Sequence, residues 1–290
     1  MSGDKAVPPS ADGADAADGR PRPESGMRTR SFGCGRELWG LLACFVGAWL
    51  QAEEPAKDKP KPEPPVVRLV QPIGIEAGTK VKLKIRGQHF NGTNTVRVAG
   101  WDGAGNVPVL SQGEAKAVSG VDAGRIGDRQ VEVELTVPAG AAPGTNALLW
   151  VGGATGESPA FPLLVLPAGT VTGEKEPNDG FRTAPGAKLP VRLRGAMEAK
   201  GDVDVFRVEL KAGKRFRGEV QAARWMSTLD AMLTVYDSRF AVVASVDYAL
   251  GRDPVVEFEV KESGEYFVAV SYANDQTAPT HEYVLVMEER

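Results

Sequence analysis

Between Lys80 and Arg86 every second residue is apolar: Val81, Leu83 and Ile85 alternate with Lys80, Lys82, Lys84 and Arg86. A β-strand sends successive side chains to opposite faces, so this stretch predicts a half-buried strand with a basic outer face. The alternation returns at Val131, Val133, Leu135 and Val137, interleaved with Glu132, Glu134 and Thr136. It returns again at Phe206, Val208 and Leu210, at Tyr266, Val268, Val270 and Tyr272, and at Tyr283, Leu285 and Met287. Long helix-periodic runs are few, while 34 Gly and 21 Pro supply turn chemistry between the short runs. Strands of this kind bury their apolar faces by stacking two sheets, so the fold class expected is all-β, built as two β-sandwich domains.

The bulk numbers narrow the function. A chain of 290 residues holds two domains of about 100–200 residues each. Hydrophobic residues make up 42% and charged residues 25%, the balance of a soluble globular protein. Net charge is −4 and the Lys and Arg residues are scattered, which argues against a nucleic-acid partner. The two cysteines, Cys34 and Cys44, both fall in the N-terminal leader. Once that leader is removed the chain has no disulfide and no thiolate metal site, a pattern that fits a bacterial exported protein.

Taken in order, residues 1–26 are rich in Ala, Gly, Asp and Pro and cannot bury a core, so they are expected to be disordered, as an extension upstream of a start at Met27. Residues 27–52 read as a secretory signal: Arg28, Arg30 and Arg36 precede the apolar run Leu38–Leu50, which is short of the about 20 residues that span a bilayer. A membrane anchor or a buried helix is the alternative there. Residues 53–65 form a charged, Pro-rich tether. In residues 66–167 short strands are expected at Val66–Val70, Thr95–Val98, Asn146–Val151 and Phe161–Leu166, with turns at Gln71–Gly74, Phe90–Gly92 and Pro138–Gly144. The Gly- and Ala-rich stretch Trp101–Asp128 reads as a long surface loop, and residues 168–173 as an interdomain linker.

Two resemblances follow from these segments. Pro72-Ile73-Gly74, Ala77-Gly78-Thr79, Ile85–Phe90 and Val137–Gly140 followed by Gly144 make residues 66–167 resemble the IPT/TIG immunoglobulin-like modules. Glu174–Asp179, Gly201–Phe206, Lys211-Ala212-Gly213, Leu229-Asp230, Asp253-Pro254, Gly264-Glu265-Tyr266 and Tyr283–Val286 make residues 174–288, within a second domain of residues 174–290, resemble the bacterial pre-peptidase C-terminal domain. The first resemblance implies an immunoglobulin-like sandwich. The second implies a jelly-roll-like sandwich appended to secreted enzymes and surface proteins, without catalysis of its own.

The densest set of hard oxygen donors is Glu174-Lys175-Glu176-Pro177-Asn178-Asp179. Pro177 holds Glu176 extended, and in an extended segment Glu174, Glu176 and Asn178 project to one side, with Asp179 at the following bend. These oxygens suit Ca²⁺, and Asp202 and Asp204 are candidates for the remaining ligands. Asp204 falls by alternation on the core side with Phe206 and Val208, where a carboxylate needs a counter-charge or hydrogen bonds. The resemblance implies the same calcium site, through the acidic opening and the Gly-Asp region. A solvated linker with local Asn and Asp turn bonds is the competing reading. The spacing is not that of an EF-hand, since the sixth position from Asp202 is Arg207 and the twelfth is Gly213.

Catalytic signatures are absent. His89 and His281 are the two histidines, and neither lies in a His-Glu-x-x-His pattern. There is no Gly-x-Ser-x-Gly elbow and no phosphate-cradling Gly-Lys-Ser/Thr loop. Arg224 and Trp225 offer a ligand-binding surface if exposed, or a tryptophan folded over the sandwich edge if not. The expectation is an exported, non-catalytic interaction protein of the bacterial cell surface or periplasm. Its partner would be an extracellular polysaccharide or protein, or a secreted peptidase that it serves as an accessory domain, with no membrane span after signal removal.

Overall fold

The alternating runs form antiparallel strands, and the all-β expectation holds. A computed structural model describes residues 61–290 apart from 103–104, 200, 250 and 273–277, and for 145–146 the backbone only. The expected disordered extension (1–26), the signal (27–52), both cysteines and tether residues 53–60 lie outside the described residues.

In chain order come β1 (Val66–Gln71), β2 (Ile75–Glu76), β3 (Lys80–Gln88), β4 (Thr95–Ala99), β5 (Asn106–Val107), β6 (Val109–Glu114), α1 (Ala123–Ile126), β7 (Arg129–Thr136), β8 (Gly144–Gly153), β9 (Gly156–Glu157) and β10 (Phe161–Leu166). These build a four-stranded sheet, β1-β3-β7-β6, and a six-stranded sheet, β2-β10-β8-β4-β5 with β9 against β8. Leu83, Ile85, Val131, Val133, Val98 and Leu149 are among the residues that close the core between them. On the outer face Lys82 lies opposite Glu134 and Lys84 opposite Glu132, and Lys80 pairs with Glu134 at 2.5 Å. The basic face of β3 is therefore matched by an acidic one across the ladder, the kind of cross-strand pairing that stabilises sheets.

Next come β11 (Val171–Gly173), β12 (Val191–Ala196), β13 (Val203–Leu210), β14 (Arg215–Gln221), β15 (Ala231–Tyr236), β16 (Val242–Val246), β17 (Val255–Glu259), β18 (Gly264–Tyr272) and β19 (Glu282–Glu289). They form a five-stranded sheet, β11-β12-β19-β14-β17, facing a four-stranded sheet, β13-β18-β15-β16. Phe206, Phe216, Leu233, Val268, Leu285 and Met287 fill the core between these two sheets.

Two stretches differ from expectation. Trp101–Asp128 contributes β5, β6 and α1, with β6 as the edge strand beside β7. Residues 168–173 contain β11, which pairs in parallel with β12, so half of the expected linker belongs to a sheet.

The two sandwiches meet through the outer faces of β10 and β19. Leu164 and Leu166 of β10 pack with Ile73, Trp225 and Val284, while Leu163 and Val165 of the same strand face the first core. Polar bonds flank this contact: the Ile73 N–H donates to Glu282 Oε2 (2.7 Å), Gln71 Nε2 donates to Glu282 Oε1 (2.9 Å), and Arg194 donates to the Gly74 carbonyl (2.6 Å).

Candidate metal centre

The acidic opening of the second sandwich is held in place by backbone bonds. The Glu174 N–H donates to the Arg194 carbonyl (2.9 Å), continuing the β11–β12 ladder by one residue. Glu174 Oε1 accepts from the Ala196 N–H at 2.7 Å, which fixes that carboxylate over the end of β12. The peptide bond between Glu176 and Pro177 is cis. Beyond it the Asn178 N–H donates to Glu176 Oε2 (3.0 Å), and the Asn178 carbonyl accepts from the Val205 N–H (3.0 Å). The segment then follows the free edge of β13, with Ala187 N–H donating to the Arg207 carbonyl and Arg207 N–H to the Pro185 carbonyl.

This path brings Glu174, Glu176 and Asn178 together against Asp204. Carboxylate oxygens of Glu174, Glu176 and Asp204 lie within 4.8 Å of one another. Asn178 and Asp204 are both fully buried, at 0% exposure, whereas Glu176 reaches solvent. Tyr283 of β19 donates its hydroxyl to Asp204 Oδ2 (2.5 Å), with Glu174 Oε2 also within 3.3 Å. Asn178 Nδ2 reaches Glu174 Oε2 at 3.5 Å. Two oxygens of the cluster, Asn178 Oδ1 and Asp204 Oδ1, are buried with no hydrogen-bond partner among the described residues. Buried oxygens in a native site are ordinarily satisfied, which sets this pair apart from the other buried oxygens of the cluster.

The electrostatics agree. Burial, followed by the neighbouring Glu174 charge, pushes the Asp204 carboxyl up to about 9. Burial also raises Glu174 against the hydrogen bonds it accepts, and raises Glu176, where the charges of Asp202, Glu174 and Asp179 add to the effect. The Tyr283 phenol is driven well above its ordinary value by burial and then by the Asp204 and Glu174 charges.

Of the other sequence candidates, Asp202 is buried at the start of β13, where its Oδ2 accepts from the N–H groups of Glu198 (2.7 Å) and Ala199 (3.3 Å). That oxygen closes a turn. Asp179 is exposed and its side chain makes no hydrogen bond among the described residues. Arg224 and Trp225 face inward. Trp225 is 9% exposed in the contact between the sandwiches, and Arg224 pairs with Asp253 (2.5 Å) and Glu219 (2.8 Å). Asp253 in turn accepts from the N–H groups of Ala222, Ala223 and Arg224, so the pair belongs to a structural network.

Two contributors were not legible from spacing. Tyr283 reads as an ordinary core-face residue, and nothing in its neighbourhood marks its hydroxyl. Gly195 is the other: a Cβ there would collide with Tyr283 Oη and Cζ and with Glu174 Oε2. Only glycine lets β12 pass so close to both side chains.

Comparison with known proteins identifies part of this region. Residues 202–271 match the family model described as the bacterial pre-peptidase C-terminal domain. The match takes in Asp202 and Asp204 and begins after Glu174–Asp179. No curated protein matches the chain significantly. Among solved structures, the chain is similar to the pre-peptidase C-terminal domain of collagenase from Bacillus anthracis, at 16% identity over 40% of this chain and 100% of that one, with a TM-score of 0.31. It is also similar to PliG of Aeromonas hydrophila, a periplasmic inhibitor of g-type lysozyme, at 12% identity over 42% of this chain and 98% of that one (TM-score 0.29). A third is the secreted serine protease VesC from Vibrio cholerae, at 12% identity over 75% of this chain and 48% of that one (TM-score 0.28).

Proposed function

We propose that the protein is an exported, non-catalytic interaction module whose second sandwich is tied together by calcium, held by Glu174, Glu176, Asn178 and Asp204. The observation that carries this reading is the pair of buried, unpartnered oxygens, Asn178 Oδ1 and Asp204 Oδ1, beside three converging carboxylates. The donor set is all oxygen, mixed carboxylate and amide, which suits a hard cation and no soft one. When bound, the ion supplies two positive charges in place of a proton. Glu174 belongs to the run beside β12, Asn178 is bonded to β13, Asp204 lies in β13, and Tyr283 orients Asp204 from β19. Holding Glu174, Asn178 and Asp204 together therefore fastens the opening loop to both sheets.

A non-catalytic role is supported by the side chains that a hydrolase would need. His89 pairs with Glu63 at 3.1 Å, and His281 is buried in a ring stack on Tyr272 at 4.8 Å. Each imidazole has a local structural partner. Among the described residues no helix is long and apolar enough to cross a membrane. Export to the periplasm, cell surface or medium, with an extracellular polymer or protein as partner, is the reading that the expected signal at residues 27–52 and the family match at residues 202–271 support. The family match at residues 202–271 also favours a second reading, an accessory partner of a secreted peptidase.

The test is thermal unfolding of the full chain with calcium and then with excess chelator. A ligand that binds only the folded state stabilises by about 2.7 kcal/mol at a hundredfold excess over its dissociation constant. The melting temperature is expected to rise with calcium and fall back with chelator. Coincident curves, with no metal in the purified protein, would remove the ion.

A further inference from the structure

Where the two sandwiches meet, a cleft of about 370 Å³ opens beside the buried contact. It is lined from the first sandwich by Arg68, Arg125, Phe161 and Pro162, and from the second by Met226 and Arg252. All three arginines are exposed, and among the described residues no acidic side chain lines the cleft. Among the described residues none of the three enters an ion pair, although most arginines of the second sandwich do: Arg207, Arg215, Arg217, Arg224, Arg239 and Arg290 are all paired. On a chain of net charge −4, this is a local concentration of unbalanced positive charge.

Each arginine is placed by a specific local feature. Arg68 is the extra residue of a bulge in β1, where the register to β3 shifts between Val67 and Leu69. Bulges re-aim a side chain, and here one turns Arg68 toward the joint. Its Nε and one terminal nitrogen bond Gln88 Oε1, which holds the guanidinium while the other terminal nitrogen stays free. Arg125 of α1 reaches across to the Thr228 carbonyl (3.3 Å) with one terminal nitrogen. Arg252 follows the turn at Gly251 and makes no hydrogen bond among the described residues. Between them the apolar floor is Phe161 and Pro162, and the rim is Met226, half exposed and held at φ 64° by the 3-10 turn before it.

We propose that this cleft binds an extended peptide segment of a partner protein, carrying carboxylates on either side of an apolar residue. Guanidinium forks hold carboxylates in bidentate pairs. An unbranched thioether adapts to varied apolar side chains. The volume is that of a small ligand site. A polyanionic sugar would satisfy the arginines equally, but a sugar ring stacks on an open aromatic face, and the aromatic residue of the cleft, Phe161, is only 6% exposed. The proposal deepens the reading of the protein as an interaction module and rests on it. It does not depend on calcium, and it needs both sandwiches, because the arginines come from both.

The experiment uses the full chain and a fluorescein-labelled peptide of alternating Glu and Leu, with binding read by anisotropy. Competition arms contain an alginate oligosaccharide, inorganic sulfate and a Lys-Leu peptide. Specific binding is expected, weakening with salt and about tenfold weaker in Arg252→Glu. The Arg252 side chain bonds nothing among the described residues, so this variant should melt with the wild type; Met226→Gly, which suits the positive φ, should weaken the peptide but not sulfate. Equal binding by wild type and Arg252→Glu would overturn the proposal, as would displacement by alginate or sulfate at matched concentration. Loss of binding with the calcium shift intact would sink the cleft alone. Cleavage of the peptide would instead sink the non-catalytic reading.

Discussion

The Tyr283 hydroxyl lies 2.5 Å from Asp204 Oδ2 and 3.3 Å from Glu174 Oε2, so one phenol on the closing strand faces both ends of the acid cluster. Replacing it with Phe leaves Asp204 Oδ2 buried without its donor. Tyr283→Phe should therefore lower stability by about 1–3 kcal/mol, measured by urea unfolding in chelator. A change smaller than the error of the fit would show the bond to be dispensable.

Asp204→Asn distinguishes a charge held for a cation from a polar group held for packing. In chelator the wild-type carboxyl is expected to be neutral at pH 7, since burial and then the Glu174 charge push it up to about 9. The amide should then unfold within about 1 kcal/mol of wild type, yet lose most of the calcium-induced rise in melting temperature. A full calcium shift in the variant would contradict its place among the ligands.

Gly195→Ala probes the close approach of β12 to the cluster. The added methyl overlaps Tyr283 and the Glu174 carboxylate, and overpacking of this kind costs about 1–3 kcal/mol. The calcium response should weaken as well, since both displaced groups belong to the site. Unchanged melting curves with and without calcium would refute this.

Glu282 gives the contact between the sandwiches a pH dependence. Burial raises its carboxyl above the ordinary value, outweighing the Ile73 N–H, the Gln71 amide and the Arg194 charge. A carboxyl whose folded pKa is raised contributes stability that is full below the unfolded value of about 4.3 and is lost as pH rises through the folded value. Stability should accordingly carry a component that falls on going from mildly acidic to neutral solution. Glu282→Gln should remove that component, which a pair of pH–stability profiles would show; parallel profiles would assign the effect elsewhere.

Trp225→Ala empties the contact between β10 and β19. Trp-to-Ala changes in packed sites cost about 3–5 kcal/mol, and a loss of that size is expected in chemical unfolding. The calcium-induced shift should survive, since Trp225 lies in the contact between sandwiches and not in the cluster. A loss below 1 kcal/mol would mean the contact is loosely held.

Much of this was readable in the chain, for a physical reason. Period-two alternation marks strands with one wet face, and β3 and β7 are of that kind; β18 and β19 alternate too, although Phe267, Ala269 and Val284 bury their outer faces. The alternation also puts Asp204 on the core side, where it is fully buried; the extended path expected through Pro177 is instead a cis peptide, with Glu176 exposed and Asn178 buried. The hidden parts lack such contrast. β6 is exposed along nearly its whole length, so it has no apolar face to announce it and reads as a loop. Arg224 and Trp225 look like a surface pair because their partners, Asp253 and Ile73, are remote in sequence. Asp202 and Asp204 carry the same side chain two residues apart, and only the backbone shows that one closes a turn while the other meets Tyr283.

Strand β10 has no solvent side: Leu163 and Val165 serve one core while Leu164 and Leu166 serve the contact with β19. The chain between Leu166 and Val171 is thus a short bridge across an already closed seam. A protease nick there should not release two free halves, because each piece would carry one side of a sticky, complementary patch. Separately expressed halves should find one another on mixing, behaving as a split protein with a native lock.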